Sequence, residues 1–365
     1  MTASTSRLRF SVPAPRPLAW ALALACWFGY AVLDFAPQVQ LVIRLFPVTD
    51  WWGIDTDRVL VASKSLLGGH AVYSDPGLLY SPLAVVLGIP ATLAPREYAL
   101  LALALFNAFL AISVTRWLSR GSWLAVLLVL TFLPFINDVA LGNFMVPITA
   151  AMAVSTFGQT RRRSGIALGI VAAAFAKPLL APYFIWLVVR RRKTAEGAIA
   201  TAVLATVLAA AVTGPTAYVD WFHNLVQGTG SIAVWAGNSG VSGYVPSLAV
   251  PIAIIVMALT LLVVARAHEN RSLAWVLAAG ILVSPYAGGY SALSLLLILP
   301  MLRPWPRVYA LAILNPLATI SAALVGFLAL LAGPPGAMAP QDARPAGQAA
   351  PTTADPLKEA DPAPA

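Results

Sequence analysis

Charge is what this chain of 365 residues has least of. Only 10% of its residues are Asp, Glu, Lys or Arg, against roughly a quarter in a soluble domain of ordinary composition. Histidine is nearly as scarce. His70, His223 and His268 lie too far apart in sequence to mark a metal site, although folding can gather distant ligands. Cysteine occurs once, as Cys26, so an intramolecular disulfide is excluded and the redox compartment stays open. No zinc spacing, P-loop, dinucleotide fingerprint or nucleophile triad is present. No repeat of fixed period appears either, which removes solenoid architectures.

What fills the chain instead is hydrocarbon. Hydrophobic residues make up 59% of it and the mean hydropathy is +0.81. Apolar runs near the length needed to cross a core of about 30 Å recur throughout. The fold class is therefore all-α and polytopic in a membrane, a bundle of about 10–12 transmembrane or re-entrant helices. Candidate segments are 17–36, 80–95, 98–117, 121–137, 140–158, 165–189, 196–213, 246–267, 273–287, 290–303 and 307–332. Residues 1–16 form a basic cytoplasmic N-terminus and 17–332 the membrane domain. Residues 333–365, rich in Pro and Ala, read as a disordered tail. The first run ends in "CWFGYAVLDF", without a small-residue cleavage site, and so reads as an uncleaved span.

The net charge of +9 does not point to nucleic acid, because the cations sit beside apolar runs as "RRR" (161–163) and "RRRK" (190–193). That is the positive-inside pattern of cytoplasmic loops. With the N-terminus inside, two polar connections, 37–79 and 214–245, emerge on the same outer side. Segment 165–189 has arginines at both ends and "AKP" (176–178) in its middle. Equal sidedness implies two helices of about 12 residues, roughly 18 Å each, that dip in and return. Proline breaks the helix there. Irregular backbone at that depth persists where protein or water covers it, so the break is expected to line a cavity.

Lys177 sits on that break. A lysine at membrane depth is a functional candidate by default, and the alternative is snorkelling to an interface. The outer stretch "GIDTDRVLVASKSLLGGHAVYSDPGLLYSPL" (53–83) carries Asp55, Asp57 and Asp75, with Asp50 just upstream. It reads as a short amphipathic helix ended by Gly68-Gly69. Helix capping alone favours acids at Asp55 and Asp57, whereas a carboxylate beside a cation at a membrane surface can also serve as general base toward a hydroxyl. Arg58, Lys64 and His70 are nearby groups able to hold a phosphate, and Tyr80 opens the next span as an interfacial anchor. In the second loop, Asp220, His223, Trp221 and Trp235 stand among glycines. The tryptophans fit a membrane belt or a sugar-stacking surface equally well, with Asn238 and Ser239 as hydroxyl partners.

These pieces, taken in order over about residues 20–305, resemble glycosyltransferase family 87, membrane enzymes of the GT-C type. An aspartate followed by Ala62, Leu67, Gly69 and Tyr73, then "YSPL", is similar to that family's opening motif and its Tyr-Pro-Pro segment, with Ser81 in place of the first proline. "LGNFMVPITAA" resembles a Gly-Gln-Asn element shortened to Gly142-Asn143. "SGIALGIVAAAFAKPLLAPYFIWLVVRRR" resembles a segment placing Lys-Pro on a break, and "GPTAYVDWF", "GNSG" and "SPYAGGY" follow in family order.

The resemblance implies a GT-C-like bundle that moves a sugar, mannose first, from a polyprenyl phosphate with inversion. The acceptor is a lipid or glycan, and the reaction faces the non-cytoplasmic side of the plasma membrane. It implies Asp55 as base, placed by its spacing to Gly69 and Tyr73. Substrate contacts are expected from Lys177, Arg58, Lys64, His70, Tyr80, Asn143, His223, Asn238 and Tyr290. No cofactor and no metal are expected, because cations alone can neutralise a lipid-phosphate leaving group. Many relatives carry His or Asp near the "SP…Y" element, where this chain has Gly288, Gly289 and Ser291; His70 or His223 are possible substitutes. The rival reading is a transporter or flippase using the same cavity without breaking bonds. Such proteins commonly show internal symmetry, which is not visible here.

Overall fold

The computed structural model describes residues 53–130, 132–232 and 240–301. The first and last candidate spans (17–36 and 307–332), the N-terminus, the tail and Asn238 lie outside the described residues.

Every regular element among the described residues is helical, as an apolar backbone in a bilayer requires when each N–H and C=O must find its partner within the chain. In chain order these are α1 (Ile54–Leu67), α2 (Pro82–Gly88, continued by a 3₁₀ turn Ile89–Leu93), α3 (Arg96–Leu118), α4 (Trp123–Leu130), α5 (Leu133–Leu141) and α6 (Met145–Phe157). Then come α7 (Ile166–Phe175), α8 (Leu180–Arg190), α9 (Arg192–Thr213), α10 (Thr216–Ile232), α11 (Val241–Tyr244), α12 (Ala249–Arg266), α13 (Glu269–Val283) and a 3₁₀ stretch Gly289–Met301.

Only three of the described helices are long and apolar enough to cross unaided: Arg96–Leu118, Arg192–Thr213 and Pro246–Arg266. A fourth crossing is possible for α4 with α5, which bend by 54° at their junction. The rest are shorter. The physical reason lies in the breaks. Pro134 opens α5, and Gly142 ends it in the left-handed region at φ +64°, a conformation only glycine takes at no steric cost. The expected single span 140–158 therefore starts late, as α6. The expected split of 165–189 is present, with Ala176 at φ +42° and Pro178 separating α7 from α8.

The two arginine clusters are side by side, as a helical hairpin demands. Arg191 Nη1 donates to Thr160 Oγ1 at 2.9 Å, and Gly197 lies against the backbone of Arg162. The arginines also do structural work beyond topology. Arg190 donates through Nη2 to the carbonyls of Val264 and Ala267, both at 2.6 Å, which satisfies free acceptors at the end of α12. Arg191 pairs with Glu269 at 3.1 Å. The core runs through α6, α8, α13 and the 3₁₀ stretch, and includes the fully buried Tyr183, Trp186, Met145 and Met152.

The connection 214–245 differs from expectation. Most of 214–232 is helix, not loop. One face of α10 closes on the first connection: Trp221 Nε1 donates to Leu79 O at 2.9 Å and Asn224 Nδ2 to Asp75 O at 3.0 Å. Its other face presents Val219, Phe222 and Val226 outward.

Candidate functional site

Two helix breaks meet at one place. The first, Gly142-Asn143 between α5 and α6, puts Phe144 at the start of α6. The second, Ala176-Lys177-Pro178, follows Phe175 at the end of α7. The rings of Phe144 and Phe175 stack at 4.3 Å and 9°, and Tyr80 sets its ring edge-on to both. Apolar rings thus cover backbone that neither helix can satisfy within itself.

The N-terminus of α1 is pinned to the first break. Gly53 N–H donates to Ala140 O at 2.9 Å and Thr56 Oγ1 to Gly142 O at 2.5 Å. A side-chain carbon at Gly142 would lie 2.9 Å from the Gly53 Cα, so glycine is needed there for close approach as well as for its left-handed turn. This anchoring brings Asp55 over Asn143, whose Nδ2 donates to Asp55 Oδ2 at 2.6 Å and to the Tyr80 hydroxyl at 3.2 Å. The amide is fixed from its other end, since Phe144 N–H donates to Asn143 Oδ1 at 2.8 Å. Among the described residues, Asp55 Oδ1 accepts no hydrogen bond.

Lys177 lies across the break, 7% exposed. Its ammonium faces the rings of Tyr290 at 5.0 Å, Tyr80 at 5.5 Å and Tyr286 at 6.0 Å. No carboxylate among the described residues is within ion-pair distance of it. Ring faces, not a contact ion pair, surround this amine, and an ammonium is attracted by such faces. The burial also answers the snorkelling alternative, because this amine does not reach an open surface. Aromatic rings line the break around this amine.

Asp138 and Asn107 went unmarked in the sequence and both are fully buried. Asp138 Oδ1 accepts from Met145 N–H at 2.9 Å. Asn107 Nδ2 donates to Asp138 Oδ2 and to Asn143 O, both at 3.3 Å. Together they hold the Asn143 carbonyl and the Met145 N–H at the start of α6. The signal that could have found Asp138 is its presence as a lone acid in an otherwise apolar stretch, the condition that marks Lys177.

The remaining candidates lie elsewhere. Neither Asp55 nor Asp57 caps α1 through its side chain. Asp57 is bound by Arg96, whose Nε and Nη2 reach it at 2.8 and 2.5 Å. Arg58 pairs with Asp75 at 3.3 Å and lies over Gly77. Lys64 and His70 are exposed around the C-terminal end of α1. His223 is exposed on α10, bonded to Gln227 at 2.7 Å. None of these is part of the polar contacts joining Asp55, Asn143 and Tyr80. At the positions where the family resemblance implies His or Asp, a side-chain carbon at Gly288 would meet the Tyr290 ring at 2.5 Å, and one at Gly289 would come within 3.5 Å of Asn137 Nδ2. Tyr290 fills the space that a larger side chain at Gly288 would need.

The arrangement offers a carboxylate with one oriented oxygen and one unbonded oxygen at the first break, and a ring-surrounded amine at the second. Neither a curated protein nor a solved structure matches the chain. The model of glycosyltransferase family 87 matches residues 78–285, which take in Tyr80, both breaks and Lys177 but begin after Asp55. The match covers more than half of the 365 residues, and the chain belongs to glycosyltransferase family 87.

Proposed function

We propose that this glycosyltransferase takes its sugar, mannose first among candidates, from a polyprenyl phosphate and passes it with inversion to a lipid or glycan hydroxyl on the non-cytoplasmic face of the plasma membrane. The observation that carries the reading is the opposition of Asp55 and Lys177 across the Gly142-Asn143 break.

In this reading the acceptor hydroxyl approaches the open Oδ1 of Asp55. As its oxygen attacks the anomeric carbon, its proton passes to the carboxylate, so that the new bond forms to a deprotonated oxygen. The bond from the anomeric carbon to the phosphate oxygen breaks on the opposite face and its electron pair leaves with the polyprenyl phosphate, which becomes a dianion. Lys177 is the cation positioned to stabilise that charge in surroundings of low dielectric, where such stabilisation is strongest. Arg58 is tied to Asp75 and would have to leave it to join Lys177. The same holds in weaker form for Lys64, which would need to move inward from its exposed position. Ring faces of Tyr80, Tyr286 and Tyr290 fit stacking on the sugar as well as holding the ammonium. No metal or other cofactor has a part in this scheme, and membrane lipids are the only surroundings it requires.

The test uses purified protein in lipid nanodiscs with radiolabelled polyprenyl-phosphate mannose and a membrane lipid extract. Labelled product is expected from the wild type. Asp55→Asn should retain donor binding and lose transfer, while Lys177→Ala should bind donor more weakly. Turnover by Asp55→Asn at the wild-type rate excludes the base role, and binding without any product favours translocation over chemistry.

A further inference from the structure

We infer that the arginine-rich end of the α7–α9 hairpin is a binding site for one anionic phospholipid, separate from the transfer site. A cavity of about 450 Å³ opens there, with Arg162, Arg163 and Glu196 on one side and Ile166, Ala200 and Thr201 on the other. Its volume falls within the range of small-molecule sites and is many times the roughly 30 Å³ share of a single water.

The hollow follows from the packing beneath it. At Gly165, Gly169 and Gly197 an added side-chain carbon would lie 2.0–2.4 Å from backbone oxygens of the facing segment. Backbones this close are joined by a seam of small residues, and nothing bulky projects from Ala200 or Thr201 to fill the groove beside it. α7 is ten residues long, about 15 Å, and it separates Arg163 before its start from Lys177 beyond its end. The two sites are at different depths.

Charge defines the headgroup. Arg162 donates to Glu196 Oε2 through Nε and Nη2 at 3.1 and 3.0 Å, and Arg192 to Oε1 at 3.2 Å. One carboxylate thereby holds two guanidinium groups at the rim. Arg163 has no acidic partner among the described residues. The lining holds two arginines against one glutamate, whose charge is also shared with Arg192, so the cavity wall is net positive and suited to a phosphate. Below the rim the wall turns apolar, with Ile166, Ile170, Val203 and Leu204 exposed along α7 and α9. A free anion would use the rim alone. A phospholipid uses the rim and the wall, and basic residues at the end of a membrane helix meet such headgroups in the adjoining leaflet.

Native mass spectrometry of the detergent-purified full chain tests this with phosphatidylglycerol, phosphatidylcholine of the same acyl chains, and inorganic phosphate. One phosphatidylglycerol should be retained at least tenfold more tightly than phosphatidylcholine, and millimolar phosphate should not displace it. Arg162→Ala/Arg163→Ala should lose the preference. Arg163→Ala alone removes an arginine without a carboxylate partner, and Ala200→Trp fills the hollow while leaving every charge; both should weaken retention at least threefold. Equal retention of the two lipids, displacement by phosphate, or unchanged retention in these two variants overturns the inference. None of the readouts depends on sugar transfer.

Discussion

Asn143→Ala is the sharpest perturbation of the proposed base, because it removes the one hydrogen bond that the Asp55 carboxylate accepts from a side chain among the described residues while leaving the acid itself in place. The lost bond runs from an amide to an ionised oxygen at 2.6 Å, and bonds to charged groups contribute about 1.5–3 kcal/mol. The variant also frees the Tyr80 hydroxyl from its 3.2 Å contact and leaves Phe144 N–H without its side-chain acceptor. If the hydrogen bond serves to aim Oδ1 at the acceptor, its loss appears in the transition state more than in donor binding. At 1.36 kcal/mol per tenfold, kcat should fall about 10- to 100-fold with the KM for donor nearly constant. The assay is initial-rate transfer from polyprenyl-phosphate mannose at varied donor, with thermal unfolding of each preparation to establish the folded fraction. Asn143→Gln keeps the amide but lengthens its reach, and partial recovery is expected. A kcat within threefold of wild type for Asn143→Ala, in folded protein, refutes the orienting role. A rise in donor KM with unchanged kcat would move Asn143 to ground-state binding.

Asp138→Asn keeps the acceptor for Met145 N–H but sets an amide NH₂ against the Asn107 Nδ2 that now donates to Asp138. Two donors facing each other loosen the grip on Asn143, so kcat should drop about tenfold with little change in KM, equivalent to roughly 1.4 kcal/mol; an unchanged kcat alongside a lower unfolding midpoint would make Asp138 purely structural. Gly197→Ala forces a carbon to within 2.0 Å of Arg162 O, backbone that cannot swing away. A cost of about 1–3 kcal/mol is expected for such overpacking, read as a lower midpoint in tryptophan-monitored unfolding, and a midpoint equal to wild type would mean the seam is looser than its geometry.

The helical hairpin at 166–190 was legible because two independent signals agreed, arginines of equal sidedness at its ends and a proline in the middle. The Gly142 break was not. The candidate segments part at 138–139, beside Asn137 and Asp138, but nothing local moves that boundary to Gly142, and only the family resemblance singled out Asn143. Helix α10 was hidden by composition: the Gly, Ser and Asn residues beyond Gln227 made the whole connection look irregular, although Trp221 and Asn224, three apart, lie on one helical face. Arg58 shows the limit of reading charge from sequence. Its proximity to Asp55 along α1 was evident, but its partner Asp75 arrives only through the turn of the following loop. Asp57 and Arg96 are likewise joined across 39 positions. Long-range pairing of this kind depends on where the chain returns, and local pattern does not contain it.

The serine at position 81 links the architecture of the break to the chemistry beside it. Helix α7 ends with free carbonyls in a buried setting, which would be costly without donors. Ser81 supplies two: its N–H to Ala174 O at 3.1 Å and its Oγ to Ala173 O at 2.5 Å. A proline, the residue the family resemblance places here, has no N–H and no hydroxyl, so it could provide neither. In this chain the end of α7 therefore depends on the segment that begins α2. Tyr80 is the adjacent residue, and its ring is one of the three around Lys177 while its hydroxyl meets Asn143. Satisfying the broken backbone and positioning the ring are one structural act, which ties the outer connection, the first break and the lysine into a single rigid unit instead of three loosely held parts.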